Sequence, residues 1–282
     1  MLVRRPLPPQ GYFVGSAVFH YLGPAFAVLL FAHVGVLGVA WLRIATAAVV
    51  FAAWRRPWRW YAGLARPERR TVVALGVTLA VMNVCFYLAI DRLALGTVAA
   101  IEFLGPTAVA AAGMRTRRNQ LALLLVVFGV YMVTGVRLHG RPIGFAFAFA
   151  NAALFAVYVV LGHRVARAGS GIDALAAAML VAAVVVSPIG GLTALPALAV
   201  PATIAAGIGV GITSSVIPYV CDQLAMARLE RSSYALMVSL LPATAVAVGI
   251  VVLGQIPSVQ DGAGVALVMA GVAAHRGPAQ TG

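Results

Sequence analysis

The feature that most constrains this chain is a series of long apolar runs, each about as long as a membrane-spanning helix. A helix needs about 20 mostly apolar residues to cross the hydrocarbon core of a bilayer. Ten such runs separate at arginines, at glycine and proline, and at short polar clusters. They lie at 11–31, 36–54, 71–90, 94–113, 119–136, 143–163, 172–190, 202–226, 232–253 and 258–274. The sequence therefore predicts an all-α integral membrane protein with ten transmembrane helices.

The charge content excludes an ordinary soluble domain. Charged residues make up 10% of the chain and apolar residues 62%, whereas soluble domains carry about 25% charged residues. The net charge of +13 comes from arginine alone, because the chain has no lysine. These arginines lie between apolar runs rather than on a soluble basic face, so we expect a lipid bilayer and no nucleic acid as partner. The missing lysine also excludes a retinal Schiff base.

The arginines also predict an orientation. If the N-terminus is cytoplasmic, the outside loops hold Arg92, Arg137 and Arg141, and Arg43 lies within a span. The other sixteen of the 20 arginines then lie on the cytoplasmic side, as the positive-inside rule requires. We therefore expect cytoplasmic N- and C-termini. The Ala- and Arg-rich composition is compatible with a high-GC bacterial genome, so we expect the bacterial cytoplasmic (inner) membrane.

An internal repeat relates the two halves of the chain. Val81–Ala111 aligns with Ile217–Ala247 without gaps at a shift of 136 residues. The identities include Val84/Val220, Cys85/Cys221, Leu88/Leu224, Ala89/Ala225, Arg92/Arg228, Leu93/Leu229, Leu104/Leu240 and Pro106/Pro242. The sequence thus predicts two five-helix repeats, residues 1–138 and 139–282. Five is odd, so the second repeat is inverted, an arrangement characteristic of secondary transporters.

Several polar side chains fall inside the predicted spans, where each costs about 3 kcal/mol. The substrate-binding candidates among them are Arg43, Asn83, Tyr87, Glu102, Tyr219, Asp222 and Gln223. Asn83 and Tyr87 are four residues apart and share a helix face. The repeat maps them onto Tyr219 and Gln223, which gives a second polar stripe. The two stripes face either a central cavity or a dry interface of hydrogen-bonded helices.

The charged candidates allow two interpretations. In the functional one, Arg43 binds a substrate carboxylate, while Glu102 or Asp222 binds an ammonium group or a proton. In the structural one, Arg43 forms an ion pair with one of these acids. Pro106 and Pro242 each remove a helix hydrogen bond. At repeat-equivalent positions they indicate either hinges beside a site or simple packing kinks.

Other motifs point away from catalysis. Gly207-Ile-Gly-Val-Gly211 follows no strand, so it indicates close helix packing rather than dinucleotide binding. His20 and His163 lie near span ends or on apolar faces, where a structural role is the simpler reading. The sequence contains no metal-ligand spacing, phosphate loop or catalytic triad. We expect no enzyme activity, no cofactor and no metal, and the oligomeric state stays open.

A family resemblance accompanies these patterns. The segment Asn83–Pro106, with Phe86-Tyr87-Leu88-Ala89-Ile90 and Glu102-Phe103-Leu104-Gly105-Pro106, resembles the drug/metabolite transporter superfamily with paired EamA domains. Within it, the chain looks most similar to bacterial threonine/homoserine exporters. Leu42-Arg43, Pro218-Tyr219 followed by Asp222, and Pro242 also fit.

The resemblance implies a ten-helix carrier that exports amino acids or related small polar metabolites by alternating access, with protons as the candidate coupling ion. Two positions depart from the exporter pattern: Leu241 and Gln255 stand where many members have acids. These departures concentrate any coupling role on Glu102 and Asp222. The alternatives are export of a drug or another metabolite by the same fold, and a non-transport membrane sensor or assembly protein.

Overall fold

The described part of the chain is helical. A computed structural model describes residues 9–113, 116–134, 142–166, 171–226 and 241–274, and these contain no β-strand. The helices are α1 (Pro9–Val34), α2 (Val36–Arg55), α3 (Pro57–Ala62), α4 (Arg66–Ile90), α5 (Leu95–Glu102), α6 (Leu104–Gly113), α7 (Arg117–Thr134), α8 (Pro142–Ala166), α9 (Gly171–Val186), α10 (Leu192–Ala194), α11 (Pro201–Gly211), α12 (Ile217–Met226), α13 (Leu241–Leu253) and α14 (Val259–Ala274). The predicted all-α class is confirmed.

Within the described residues, six segments are long and apolar enough to cross a membrane: Gly15–Val34, Val36–Arg55, Arg66–Ile90, Pro142–Gly162, Gly171–Ala199 and Pro201–Cys221. In lipid no water pairs with the backbone, so a helix, which satisfies its own N–H and C=O groups, is the stable form for such runs. The apolar runs near 94–113, 232–253 and 258–274 contain the shorter helices. The predicted total of ten spans stays a prediction.

Three spans are interrupted where the sequence predicts continuous helices. The run 94–113 breaks at Phe103, between α5 and α6. Pro106 has no N–H for the carbonyl of Glu102 four residues earlier, which favours a break next to Glu102. A π-helical turn at Ser187–Gly191 follows α9 and contains Pro188. A second π-helical turn, Ile212–Val216, joins α11 to α12 just before Pro218.

The helices pack into one bundle with two apolar clusters. Helix α1 packs against α11, α12 and α13, and α2 packs against α9 and α11. Helix α4 lies against α8 and α9, while α7 packs against α14. One cluster centres on Tyr21, Tyr87 and Ile101, and the other on Phe51, Leu79 and Met179.

The predicted close packing at the glycine motif is confirmed. A Cβ at Gly207 would lie 2.6 Å from Leu42 Cδ1, and one at Gly211 would lie 2.5 Å from Thr46 Cβ. Both distances are below van der Waals contact, so only glycine lets α11 approach α2 this closely. Gly209, between them, has nothing within 4 Å of its Cβ position.

Candidate functional site

Arg43, in the middle of α2, is buried and held by the π-helical turn before α12. Its side chain is 6% exposed. Its Nε donates to Ser215 Oγ at 2.9 Å, and its Nη2 donates to the backbone oxygen of Ser214 at 3.0 Å. That carbonyl cannot receive the usual helix bond from Pro218, which has no N–H. The proline thus leaves an acceptor for the guanidinium inside the bundle.

Tyr87 of α4 completes the surroundings of the guanidinium. The Cζ atom of Arg43 lies 5.4 Å from the centre of the Tyr87 ring, within cation–π range. The Tyr87 hydroxyl lies near Arg43 and Ser214, yet neither it nor Ser214 Oγ has a well-formed hydrogen bond. We call Arg43, Tyr87, Ser214 and Ser215 the arginine cluster. It combines a buried positive charge with two buried hydroxyls that lie close to each other.

Glu102 lies at the end of α5, beside the helix break, and is 6% exposed. It accepts a hydrogen bond of 3.1 Å from Asn151 Nδ2 of α8. The fully buried Tyr21 of α1 is close enough to interact electrostatically with Glu102. The Tyr21 hydroxyl and Asn151 Oδ1 have no hydrogen-bond partner among the described residues. We call Tyr21, Glu102 and Asn151 the glutamate cluster.

The two clusters are neighbours but do not form an ion pair. Arg43 and Glu102 interact electrostatically, but no salt bridge within 4.0 Å joins these two described residues. Within the described chain, five buried side-chain polar atoms lack a partner, and four of them belong to these clusters. Buried polar atoms are normally hydrogen-bonded, so this concentration marks the two clusters as the candidate functional site.

The other sequence-predicted site residues have different surroundings. Asn83 donates to the Leu79 carbonyl of its own helix at 2.8 Å, so its amide is engaged locally. Tyr219 is half-buried and packs against the apolar cluster around Phe51. Asp222 and Gln223 have their backbone in α12, but their side chains lie outside the described part.

The two proline candidates differ in what is described. The break at Phe103 lies three residues before Pro106, whose side chain is outside the described part. Pro242 is buried in α13, and the residues preceding Leu241 are likewise not described. Their hinge role stays a prediction.

Sequence reasoning missed four residues of the two clusters: Tyr21, Asn151, Ser214 and Ser215. Two signals for them exist in the sequence. Asn151 is the lone amide in the middle of an apolar run, and Ser214 lies four residues before Pro218, at the position whose carbonyl a helix proline cannot bond. Tyr21 carries no comparable signal.

Apolar helices that could cross a membrane, packed around buried opposite charges, define a class: the multi-pass membrane transporter. The comparisons agree with this class. The model of the EamA-like transporter family matches residues 142–275. The threonine/homoserine exporter RhtA of Escherichia coli (strain K12) is 34% identical over 236 residues, covering 83% of this chain and 79% of that protein. The chain belongs to the EamA-like transporter family, which confirms the resemblance seen in the sequence.

Further comparisons extend this result. The exporter of the same name from Salmonella typhimurium (strain LT2) is 33% identical over 236 residues, with the same coverage of both chains. A solved crystal structure superimposes with a TM-score of 0.61 at 18% identity, covering 94% of this chain and 97% of the other. That likeness concerns the fold alone. Membership of a transporter family places the chain among transporters rather than enzymes.

Proposed function

We propose that this protein exports amino acids of the threonine/homoserine type, or closely related small polar metabolites, from the bacterial cytoplasm. The observation that carries the proposal is the pair of buried, oppositely charged clusters. An amino acid is a zwitterion, and its two charges match the arginine cluster and the glutamate cluster. A guanidinium binds carboxylate well, while a buried carboxylate binds ammonium. The relatives named threonine/homoserine exporters support this substrate class.

Alternating access between two inverted repeats is the proposed mechanism, and the helix contacts are compatible with it. In the predicted register, α4 on α8 corresponds to α12 on α1, and both contacts occur. Likewise α4 on α9 corresponds to α2 on α11 and its following turn, and α1 on α13 corresponds to α8 on α6. The contacts α2–α9 and α7–α14 are their own counterparts. This pairing supports a two-fold arrangement of five helices plus five.

Contacts between helix ends agree with the way the proposed orientation divides these ends between the two sides of the membrane. Arg55 of α2 pairs with Asp173 of α9 through two hydrogen bonds of 2.8 and 2.9 Å. Both residues lie at ends that the arginine distribution assigns to the cytoplasm. Gln255, after α13, accepts a 2.9 Å hydrogen bond from the backbone of Leu95. Both of these lie at ends assigned to the outside. Labelling with a membrane-impermeant thiol reagent tests this in a variant lacking the native cysteines: a cysteine at Gly254 should react in intact cells, and one at Gly63 should not.

Glu102 is the proposed coupling residue. Among the described residues, its carboxylate has one hydrogen-bond donor and no salt bridge, so a proton and a substrate ammonium would compete for the same group. Binding of one would then favour release of the other, which is the exchange that a proton-driven exporter needs. Asp222 remains a second candidate for this role.

The test is transport of radiolabelled L-threonine in proteoliposomes under an imposed pH gradient. We expect flux in the wild type and its loss, or its uncoupling from the gradient, in Glu102→Gln. The matched control is Glu68→Gln, which makes the same chemical change at an exposed cap of α4. Absence of flux for threonine and for every other amino acid in the wild type would refute the substrate class. Unchanged coupled flux in Glu102→Gln would remove that residue from the mechanism.

A further inference from the structure

We infer that Asn151 and Tyr21 join Glu102 in a specific site for a primary ammonium group, and that this site selects α-amino acids over their α-hydroxy analogues. The inference rests on the proposed function and deepens it. Neither residue was a candidate from the sequence. Both lie in the bundle core with 0% exposure, each with a side-chain polar atom that has no hydrogen-bond partner in the described chain.

The orientation of the Asn151 amide is set by Glu102. An amide has one end that donates and one that accepts. The Nδ2 end donates to Glu102 Oε1 at 3.1 Å, because the opposite orientation would set two acceptor oxygens against each other. The Oδ1 end is therefore presented as an acceptor, and it is buried and unpartnered. Glu102 thus fixes the orientation in which Asn151 Oδ1 serves as a second acceptor close to the carboxylate.

Tyr21 adds a third oxygen from another helix. Its ring is fixed in the core, edge-on to His20 at a centroid distance of 5.1 Å. Its hydroxyl is unpartnered and lies within electrostatic range of Glu102. The site thus draws its side chains from three helices, α1, α5 and α8. Helix α6, which follows α5 after the break at Phe103, packs tightly on α8, because a Cβ at Gly105 would collide with the backbone oxygen of Ala152, next to Asn151.

The three oxygens identify the chemistry of the ligand. An alkylammonium group carries one positive charge, three N–H donors and no acceptor. The glutamate cluster offers one negative charge and three acceptor groups. A ligand hydroxyl brings one donor and no charge, so it leaves buried acceptors unsatisfied, which is costly. Sites of this kind reject the analogue that lacks the hydrogen-bonding group far more strongly than apolar pockets reject a change of size.

The experiment measures binding of 2-aminobutyrate and 2-hydroxybutyrate, which differ only in the group at the α-carbon. Dissociation constants are taken on purified full-length protein for the wild type, Tyr21→Phe and Asn151→Ala. We expect the wild type to bind the amino compound at least about tenfold more tightly. Each variant should lose roughly threefold to tenfold of that preference, with the 2-hydroxybutyrate constant unchanged. Tyr131→Phe is the matched control, since Tyr131 is 66% exposed on α7.

The outcomes separate this inference from the proposed function. If Tyr21→Phe and Asn151→Ala prefer 2-aminobutyrate over 2-hydroxybutyrate as strongly as the wild type does, the inference is overturned, even if the wild type transports threonine. A wild type that binds neither compound would overturn it as well. If the preference falls as expected but proteoliposomes show no amino-acid flux, the ammonium site is supported and export is refuted. Tyr21→Phe removes one unpartnered oxygen, so it keeps the test decisive if Asn151→Ala does not fold.

Discussion

Replacing Gly211 by alanine tests whether helix spacing holds the arginine cluster together. The added Cβ would lie 2.5 Å from Thr46 Cβ and 3.0 Å from the backbone oxygen of Arg43. Ordinary carbon–carbon contacts lie at about 3.5–4.0 Å, so α11 must retreat from α2 by roughly 1 Å. Neither neighbouring atom is the end of a flexible side chain, and the strain therefore cannot be relieved by a rotamer change.

The retreat has two measurable consequences. Overpacking of this kind costs about 1–3 kcal/mol. Arg43 would also lose its hydrogen bonds to Ser214 and Ser215 in the π-helical turn, because bonds of 2.9 and 3.0 Å that are stretched by roughly 1 Å are no longer hydrogen bonds. We expect lower thermal stability in detergent and a KM for L-threonine raised about tenfold, the size of one lost charged hydrogen bond.

Gly209→Ala is the matched control. It lies two residues away in α11 and has open space around its Cβ position. The substitution should stabilise the helix by up to about 1 kcal/mol, so the two variants should differ by about 2 kcal/mol or more in the free energy of unfolding. If Gly211→Ala matches Gly209→Ala in both unfolding and KM, the spacing of α2 and α11 does not position Arg43.

Other variants test separate contacts. Arg43→Lys keeps the charge but loses the guanidinium fork, so KM for threonine should rise about tenfold in the proteoliposome assay. A double-mutant cycle of Arg55→Gln and Asp173→Asn should give a coupling of only about 0.5 kcal/mol in unfolding, because the pair is solvent-accessible, and it should vanish at about 1 M salt. Gln255→Ala should cost about 1 kcal/mol by removing the acceptor for the Leu95 N–H, while Gln255→Glu keeps an acceptor and should unfold like the wild type.

The helices and the charged residues could be predicted because single residues carry their signal. A run of about 20 apolar residues has one stable form in lipid, so the six clear spans follow from composition and length. Arg43 and Glu102 stand out because a charge in such a run is costly wherever the helices pack. The structure finds both buried, at 6% exposure each.

The partners of these charges could not be predicted because their roles depend on which helices meet. A serine in an apolar helix commonly bonds its own backbone, so Ser215 gives no sign that it accepts from an arginine on α2. Asn83 differs from them, because its position suggests a site, and in the structure its amide donates to Leu79 in its own helix; its substrate-binding role stays a prediction. Pro106 explains the break at Phe103 once the structure shows it, but the sequence alone does not say whether this proline breaks the helix or only bends it.

The distribution of the two clusters over the predicted repeats has a consequence for transport. Arg43 and Glu102 both lie in the first half, and at the shift of 136 residues their counterparts are the neutral Met179 and Val238. Their hydrogen-bonding partners Ser214, Ser215 and Asn151 all lie in the second half. If the halves move against each other as proposed, the spacing between the two charges is kept within one half. Ser214, Ser215 and Asn151 move instead, while Tyr21 and Tyr87 stay with the charges, so the protein can change the strength of binding while the zwitterion stays between the same two charges.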